Sequence, residues 1–279
     1  MKTSEARITF YRRNLGIPVL LGLLVFVAFD LTGLDRTLSA FFYDAAAGSF
    51  PVRHSELFER VTHKWPRVIP DWTGGLAIIG ALLSFIWPLL MKYDRSGDAR
   101  HVLGSLRLTS VLRFTARQRV DFLFVIVAFA VCTGMVHFLK NHTSVYCPVE
   151  TTLYGGPHVH REWFETFSLW GQAGPGRCWP GGHASSAFSL FAVYFVARRH
   201  CWRYSPALLG GVIVLGLIYG TTRVMQGWHF MSHTLWSGII VWLCTLLVAL
   251  CFYGRPALQR KGQSVHPIPL TLQSPSQIL

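Results

Sequence analysis

Charge is scarce in this 279-residue chain: Asp, Glu, Lys and Arg make up 14% of it, against 51% hydrophobic residues. So little charge, with several long apolar runs and a mean hydropathy of +0.37, excludes an ordinary water-soluble domain and points to an integral membrane protein. Acidic residues are the scarcer sign, 13 against 26 Lys and Arg, for a net charge of +13. No basic-aromatic module accompanies that excess, so nucleic acid is not an expected partner. The basic residues fall between apolar runs, where membrane topology and anionic lipid headgroups account for them. No small-residue cleavage site follows the first apolar run, so a cleavable signal peptide is not expected.

What remains is an all-α, polytopic chain with six expected transmembrane helices in a bundle. They run over about 15–34, 74–91, 120–139, 183–198, 206–224 and 233–253, the first of them close to the ~20 residues a bilayer requires. Residues 1–14 read as a basic cytoplasmic start, 15–253 as the membrane domain, and 254–279 as a polar, disordered cytoplasmic tail. The mixed stretch 35–72 reads as an outer loop with an interfacial helix. The stretch 92–119 holds Lys92, Arg95, Arg100, Arg107, Arg113, Arg117 and Arg119 against Asp94 and Asp98, an inside-facing loop. Pro88 is expected to bend the second span. Gly210, Gly211, Gly216 and Gly220 are expected to let the fifth span pack closely. Both termini then lie inside, and 141–182 forms a second outer loop.

Three stretches at the outer ends carry chemistry. They are Lys140 to Pro148, Cys178 to His183, and Thr222-Arg223 followed by His229 and His233. Arginine and histidine at the end of a membrane segment are costly in lipid, so they are expected to face a water-filled cavity. Lys140 and Arg223 offer fixed positive charge to phosphate oxygens. Pro180-Gly181-Gly182-His183 opens a helix, where backbone N–H groups and the helix dipole favour an anion. Two histidines beside a phosphate can divide the work, one attacking phosphorus and the other protonating the leaving oxygen. Singly, each feature has a plainer reading. Lys140 can snorkel, Gly181 and Gly182 can serve helix packing, and His229 with His233 can be half of a zinc site completed by His142, His158 or His160. Their conjunction favours a phosphate site.

The three stretches resemble the signature of the type-2 phosphatidic acid phosphatase superfamily, the membrane relatives of vanadium haloperoxidases. That pattern reads Lys, six residues, Arg-Pro; then Pro-Ser-Gly-His; then Ser-Arg, five residues, His, three residues, Asp. Here Lys140 is followed after six residues by Cys147-Pro148, the second motif is Pro180-Gly181-Gly182-His183, and the third is Thr222-Arg223, His229 and His233. The resemblance implies that His229 is the nucleophile and His183 the general acid. It makes Lys140 and Arg223 phosphate clamps, assisted by the backbone of Gly181 and Gly182, and it implies neither metal nor cofactor.

Three positions depart from the pattern. Cys147 replaces a clamp arginine, and Arg177 is the candidate substitute. Gly181 replaces a serine but keeps its backbone N–H. His233 replaces the aspartate that orients the nucleophile, a weaker acceptor than a carboxylate; Glu150, Glu162 and Glu165 are candidates to supply the carboxylate. Cys147 and Cys178 are the only cysteines expected on the outer side and can form a disulfide if that side is oxidising. The expected function is hydrolysis of an envelope lipid phosphate at the periplasmic face of a bacterial inner membrane. Lipid A, undecaprenyl diphosphate, phosphatidylglycerol phosphate and phosphatidic acid stay open as substrates. A phosphotransferase using the same intermediate and a non-catalytic lipid-binding or transport protein are the alternatives. The bilayer and the lipid are the expected partners, with no obligate protein partner.

Overall fold

Long apolar stretches become long helices here. A computed structural model describes residues 2–94, 97, 101, 104, 108–171 and 173–259. Five of its helices are long and apolar enough to cross a membrane: Ser4–Asp30, Val68–Tyr93, Arg119–His142, Ser205–Met225 and Met231–Gln259. Leu20, Leu23, Leu82, Leu89 and Leu247 stand exposed on them. An apolar exterior of this kind belongs against lipid tails. Between the helices lies a core that includes Phe124, Ala128, Ala192, Phe195, Val248 and Ala249. Among the described residues there is no β-strand, only three isolated bridges.

Two expected spans differ from what forms. The first begins earlier and ends sooner than 15–34: it is helical from Lys2 and stops at Asp30, and Gly33 (φ 74°) lies between it and the Leu34–Phe41 helix. The basic start is therefore part of the helix, with Phe10 buried in the core and the Asn14 carbonyl accepting from Trp242 Nε1 at 2.8 Å. The fourth expected span is two short helices, Gly182–Phe188 and Phe191–Arg199. They meet where Ala192 N donates to Ser189 O (3.0 Å) and Val193 N to Leu190 O (2.9 Å), i→i+3 bonds that tighten the turn. Ser189 Oγ also bonds back to Ser185 O at 2.8 Å, a contact that competes with the helical ladder. Both pieces pack on Ser205–Met225 and Met231–Gln259.

The second, third, fifth and sixth expected spans lie within longer helices. Pro88 sits inside Val68–Tyr93. The last helix kinks at Gly254 (φ 69°), where the backbone leaves the helical conformation, and a short helical piece runs on to Gln259. Most of the expected tail, 260–279, and much of 92–107 lie outside the described residues. The first connecting segment holds the helices Leu34–Phe41 and Glu56–Glu59, the latter continued by a wider turn over Arg60–Lys64. The second, 143–181, is held by short turns and the bridges Val145–Arg177 and Thr151–His158.

The glycines of Ser205–Met225 divide into two pairs. A side chain at Gly216 would lie 2.2 Å from the Phe188 ring, and one at Gly220 would lie 2.0 Å from Thr234 Cγ2, so both permit close helix approach. Gly210 and Gly211 have nothing within 4 Å and serve no such contact.

Two buried carboxylates fasten the first helix and its turn to the end of the bundle that carries the motifs. Asp30 Oδ2 accepts from Trp163 Nε1 (2.8 Å) and Trp236 Nε1 (2.9 Å), and Asp35 Oδ1 accepts from Ser232 N (2.9 Å) at the start of Met231–Gln259. At the opposite end, Asp121 gathers Arg199, His200 and Tyr253, joining three helices through one carboxylate.

Candidate active site

The helix ends bring the three motif stretches to one place. Lys140 ends Arg119–His142, Gly182 and His183 open Gly182–Phe188, Arg223 closes Ser205–Met225, and His233 opens Met231–Gln259. The turn carrying His229 has a local cause. Gly227 (φ 71°) takes the left-handed conformation, Gly227 N donates to Val224 O (2.9 Å) and Trp228 N to Arg223 O (2.9 Å). This paired C-terminal capping fixes Arg223 and His229 relative to each other. A side chain at Gly227 would also strike the Phe50 ring at 2.5 Å.

A cavity of about 380 Å³ lies among these ends, lined by Lys140, Cys147, Arg177, Cys178, Gly182, His183, Arg223, Trp228 and His229. His229 is buried, and its Nδ1 lies 3.4 Å from His233 Nδ1. Burial, and then the charge of Lys140, holds the His229 imidazolium well below the ordinary histidine range; His233, His183 and Arg223 push the same way. The ring is therefore neutral near pH 7, with a lone pair available. The His183 and His229 ring centres are 6.5 Å apart.

Arg223 is the most heavily bonded group. Its Nη1 and Nη2 each donate to Glu59, to Oε2 and Oε1, at 3.1 Å. Nη1 also donates to Gln226 Oε1 at 2.8 Å, and Nη2 to His183 Nε2 at 3.3 Å. Gln226 Nε2 completes the frame by donating to Glu59 Oε2 at 3.0 Å. Lys140 Nζ donates to Arg177 O at 2.7 Å.

Not every expected residue serves as expected. Gly181 is corrected as a phosphate donor: its N–H donates to His233 O at 3.0 Å, and it does not line the cavity. Its carbonyl accepts from Ser237 Oγ at 2.9 Å, so the residue ties two helices together. Arg177 lines the cavity, but its Nη1 donates to the carbonyls of Gly174, Gly176 and Thr143. The candidate carboxylates also lie elsewhere. Glu150 accepts from Cys147 N, Glu162 pairs with His160, and Glu165 accepts from Glu162 N. The carboxylate that does reach the site is Glu59, which sequence reasoning missed. It has no motif around it, and its partner Arg223 is 164 residues away.

Cys147 and Cys178 are joined as a disulfide with Cα atoms 5.2 Å apart, linking the first motif to the second. Cys178 Sγ lies 3.2 Å from His229 Nδ1. Cys178, His229 and His233 form one group with metal-ligand spacing, but a bridged sulfur has no thiolate to offer. The histidines weighed as completing a zinc site are engaged apart from it. His142 stacks on Phe138, His158 on Tyr146, and His160 bonds Glu162.

A protein-family model described as the PAP2 superfamily matches residues 121–257, the segment that supplies every motif residue. No curated protein and no solved structure matches the chain.

Proposed function

Residues 121–257 belong to the PAP2 superfamily, and from that membership together with the cavity geometry we propose that the protein is a membrane lipid phosphatase acting through a phosphohistidine. The observation that carries this reading is the single cavity shared by Lys140, His183, Arg223 and His229, with His229 Nδ1 turned to His233.

That orientation leaves His229 Nε2 as the attacking atom. Its lone pair forms the N–P bond while the bond from phosphorus to the lipid oxygen breaks, and His183 gives that oxygen its proton. Water then attacks phosphorus, His183 takes the water's proton, the N–P bond breaks and phosphate leaves. His233 accepts from His229 Nδ1–H, fixing the tautomer and spreading the charge that forms on the ring. Lys140 and Arg223 hold the equatorial phosphate oxygens, with Gly182 at the cavity wall. No step uses a metal ion.

In the membrane, Gly182–Phe188 and Phe191–Arg199 together make a sixth crossing, with both termini cytoplasmic and the site at the periplasmic face of a bacterial inner membrane. The basic residues of 92–119, 198–203 and 255–261 support this orientation. The domain limits proposed with it are 1–14, 15–253 and 254–279.

The test is phosphate release by purified protein in detergent from a panel of lipid phosphates, beside His229→Ala. Release that disappears in the variant supports the reading. A folded protein that binds lipid but releases phosphate only when a lipid acceptor is added is a phosphotransferase instead.

A further inference from the structure

A second cavity, of about 510 Å³, opens beside the first, and the two share Arg223 and Trp228. Its other charged walls come from the first connecting segment: Arg53, Glu56, Glu59, Arg60 and Lys64. Four cations therefore face two carboxylates. Glu56 pairs with Arg60 at 3.0 Å and Glu59 with Arg223, which leaves Arg53 and Lys64 as the positive excess. The Arg53 guanidinium carbon stands 5.0 Å over the Trp228 ring, and its Nε is buried without a hydrogen-bond partner. Among the described residues no carboxylate pairs with Arg53, so an anion that reaches its terminal guanidinium nitrogens gains charge-assisted hydrogen bonds there. A cationic wall on this segment also runs against the pattern of the chain, whose basic clusters otherwise fall in the segments read as cytoplasmic.

We propose that this second cavity is an anion subsite of the catalytic centre, and that the substrate carries a second phosphate group. That group sits against Arg53 and Lys64 while the phosphate to be cleaved lies against Lys140, Arg223 and His229. The proposal rests on the phosphatase reading and narrows its substrate to headgroups bearing two phosphates. Trp228, common to both cavities, forms the wall between the two positions. A diphosphate and a headgroup with a separate second phosphate share this chemistry.

The experiment compares matched lipids. One pair is a prenyl monophosphate and its diphosphate; the other is phosphatidic acid and phosphatidylglycerol phosphate. The ratio of kcat/KM, two-phosphate over one-phosphate, is measured for the wild type, Arg53→Gln and Lys64→Gln. The expected result is a wild-type ratio well above one, reduced about tenfold by either substitution, the scale of one charge-assisted hydrogen bond. A gain in the first pair alone assigns the subsite to an adjoining phosphate, and a gain in the second alone to a separate one. Lys64 is exposed, so its variant reports even where Arg53→Gln fails to fold. The same ratio is read as lipid binding by native mass spectrometry on the His229→Ala protein, without turnover. Absence of turnover in the wild type would overturn the phosphatase reading alone. Equal binding of one- and two-phosphate lipids, or a preference untouched by both substitutions, would overturn the subsite.

Discussion

Glu59 lies across both terminal nitrogens of Arg223, 3.1 Å from each, and Gln226 bonds to both partners. A phosphate entering the cavity thus meets an arginine whose charge is already answered by a carboxylate. Glu59→Gln keeps a hydrogen-bonding group there and removes the negative charge. We expect inorganic phosphate to inhibit this variant about tenfold more tightly than the wild type, the order of one charge interaction at partial burial. Weaker inhibition would mean that Glu59 chiefly holds Arg223 in its working position.

The pH profile should carry the mark of His229. Its protonated form is disfavoured by burial and by Lys140, so the acidic limb of kcat/KM that it governs lies below the ordinary value of 6.5. Lys140→Gln removes one cause and should move that limb to higher pH, alongside any loss of rate. Titration of the substrate phosphate does not shift with the substitution, which separates the two groups. A limb that stays in place or moves down would count against His229 as the group observed.

Asp35 gives a stability test. Burial raises its carboxyl from 3.8 to about 6, against the opposing hydrogen bonds from Ser232. The folded state therefore holds the proton more tightly than the unfolded chain. The stability this contributes is complete below 3.8 and is lost as pH rises through about 6, roughly 3 kcal/mol in all. Asp35→Asn keeps an acceptor for Ser232 N–H and should melt at or above the wild-type temperature at pH 8, with the advantage gone by pH 4. Asp35→Ala strands that N–H and should cost about 1–3 kcal/mol. An Asn variant clearly less stable at pH 8 would show that attraction between the carboxylate and the helix N-terminus outweighs burial.

The cysteines can be counted. Cys132, Cys201, Cys244 and Cys251 are free, so denaturation without reductant should expose four reactive thiols, and six after reduction. The bridge closes a separation of 31 residues, for which chain entropy predicts about 3–4 kcal/mol. Reductant should lower the melting temperature of the wild type and leave Cys147→Ser unchanged. Six thiols without reductant would remove the bridge from the account.

The catalytic end was legible where chemistry and spacing are local. Lys140, His183, Arg223 and His229 each sit at a helix end that apolar run lengths locate, and Gly227 between Arg223 and His229 sets their turn. Gly181 was found by the same spacing, but spacing does not say which acceptor a backbone N–H meets, and here it is the His233 carbonyl. Glu59, Asp30 and Asp35 were not legible as partners of the site end. Their bonds span 164, 206 and 197 residues, and nothing near them in sequence distinguishes them from other loop acids. The division at Ser189-Leu190 was hidden as well, because an i→i+3 tightening leaves the apolar pattern unbroken.

Those long-range bonds bear on how the chain can be cut. The family-matched segment begins at 121, yet Trp163, Trp236, Ser232, Arg223 and Gln226, all within it, bond to carboxylates from the first 59 residues. Trimmed to that segment, the protein would keep each residue assigned to bond-making and lose the counter-ions around them. The stretch up to Lys64 thus carries both these counter-ions and the cationic wall of the second cavity, so exchanging it would change headgroup choice and the support of the reacting groups together.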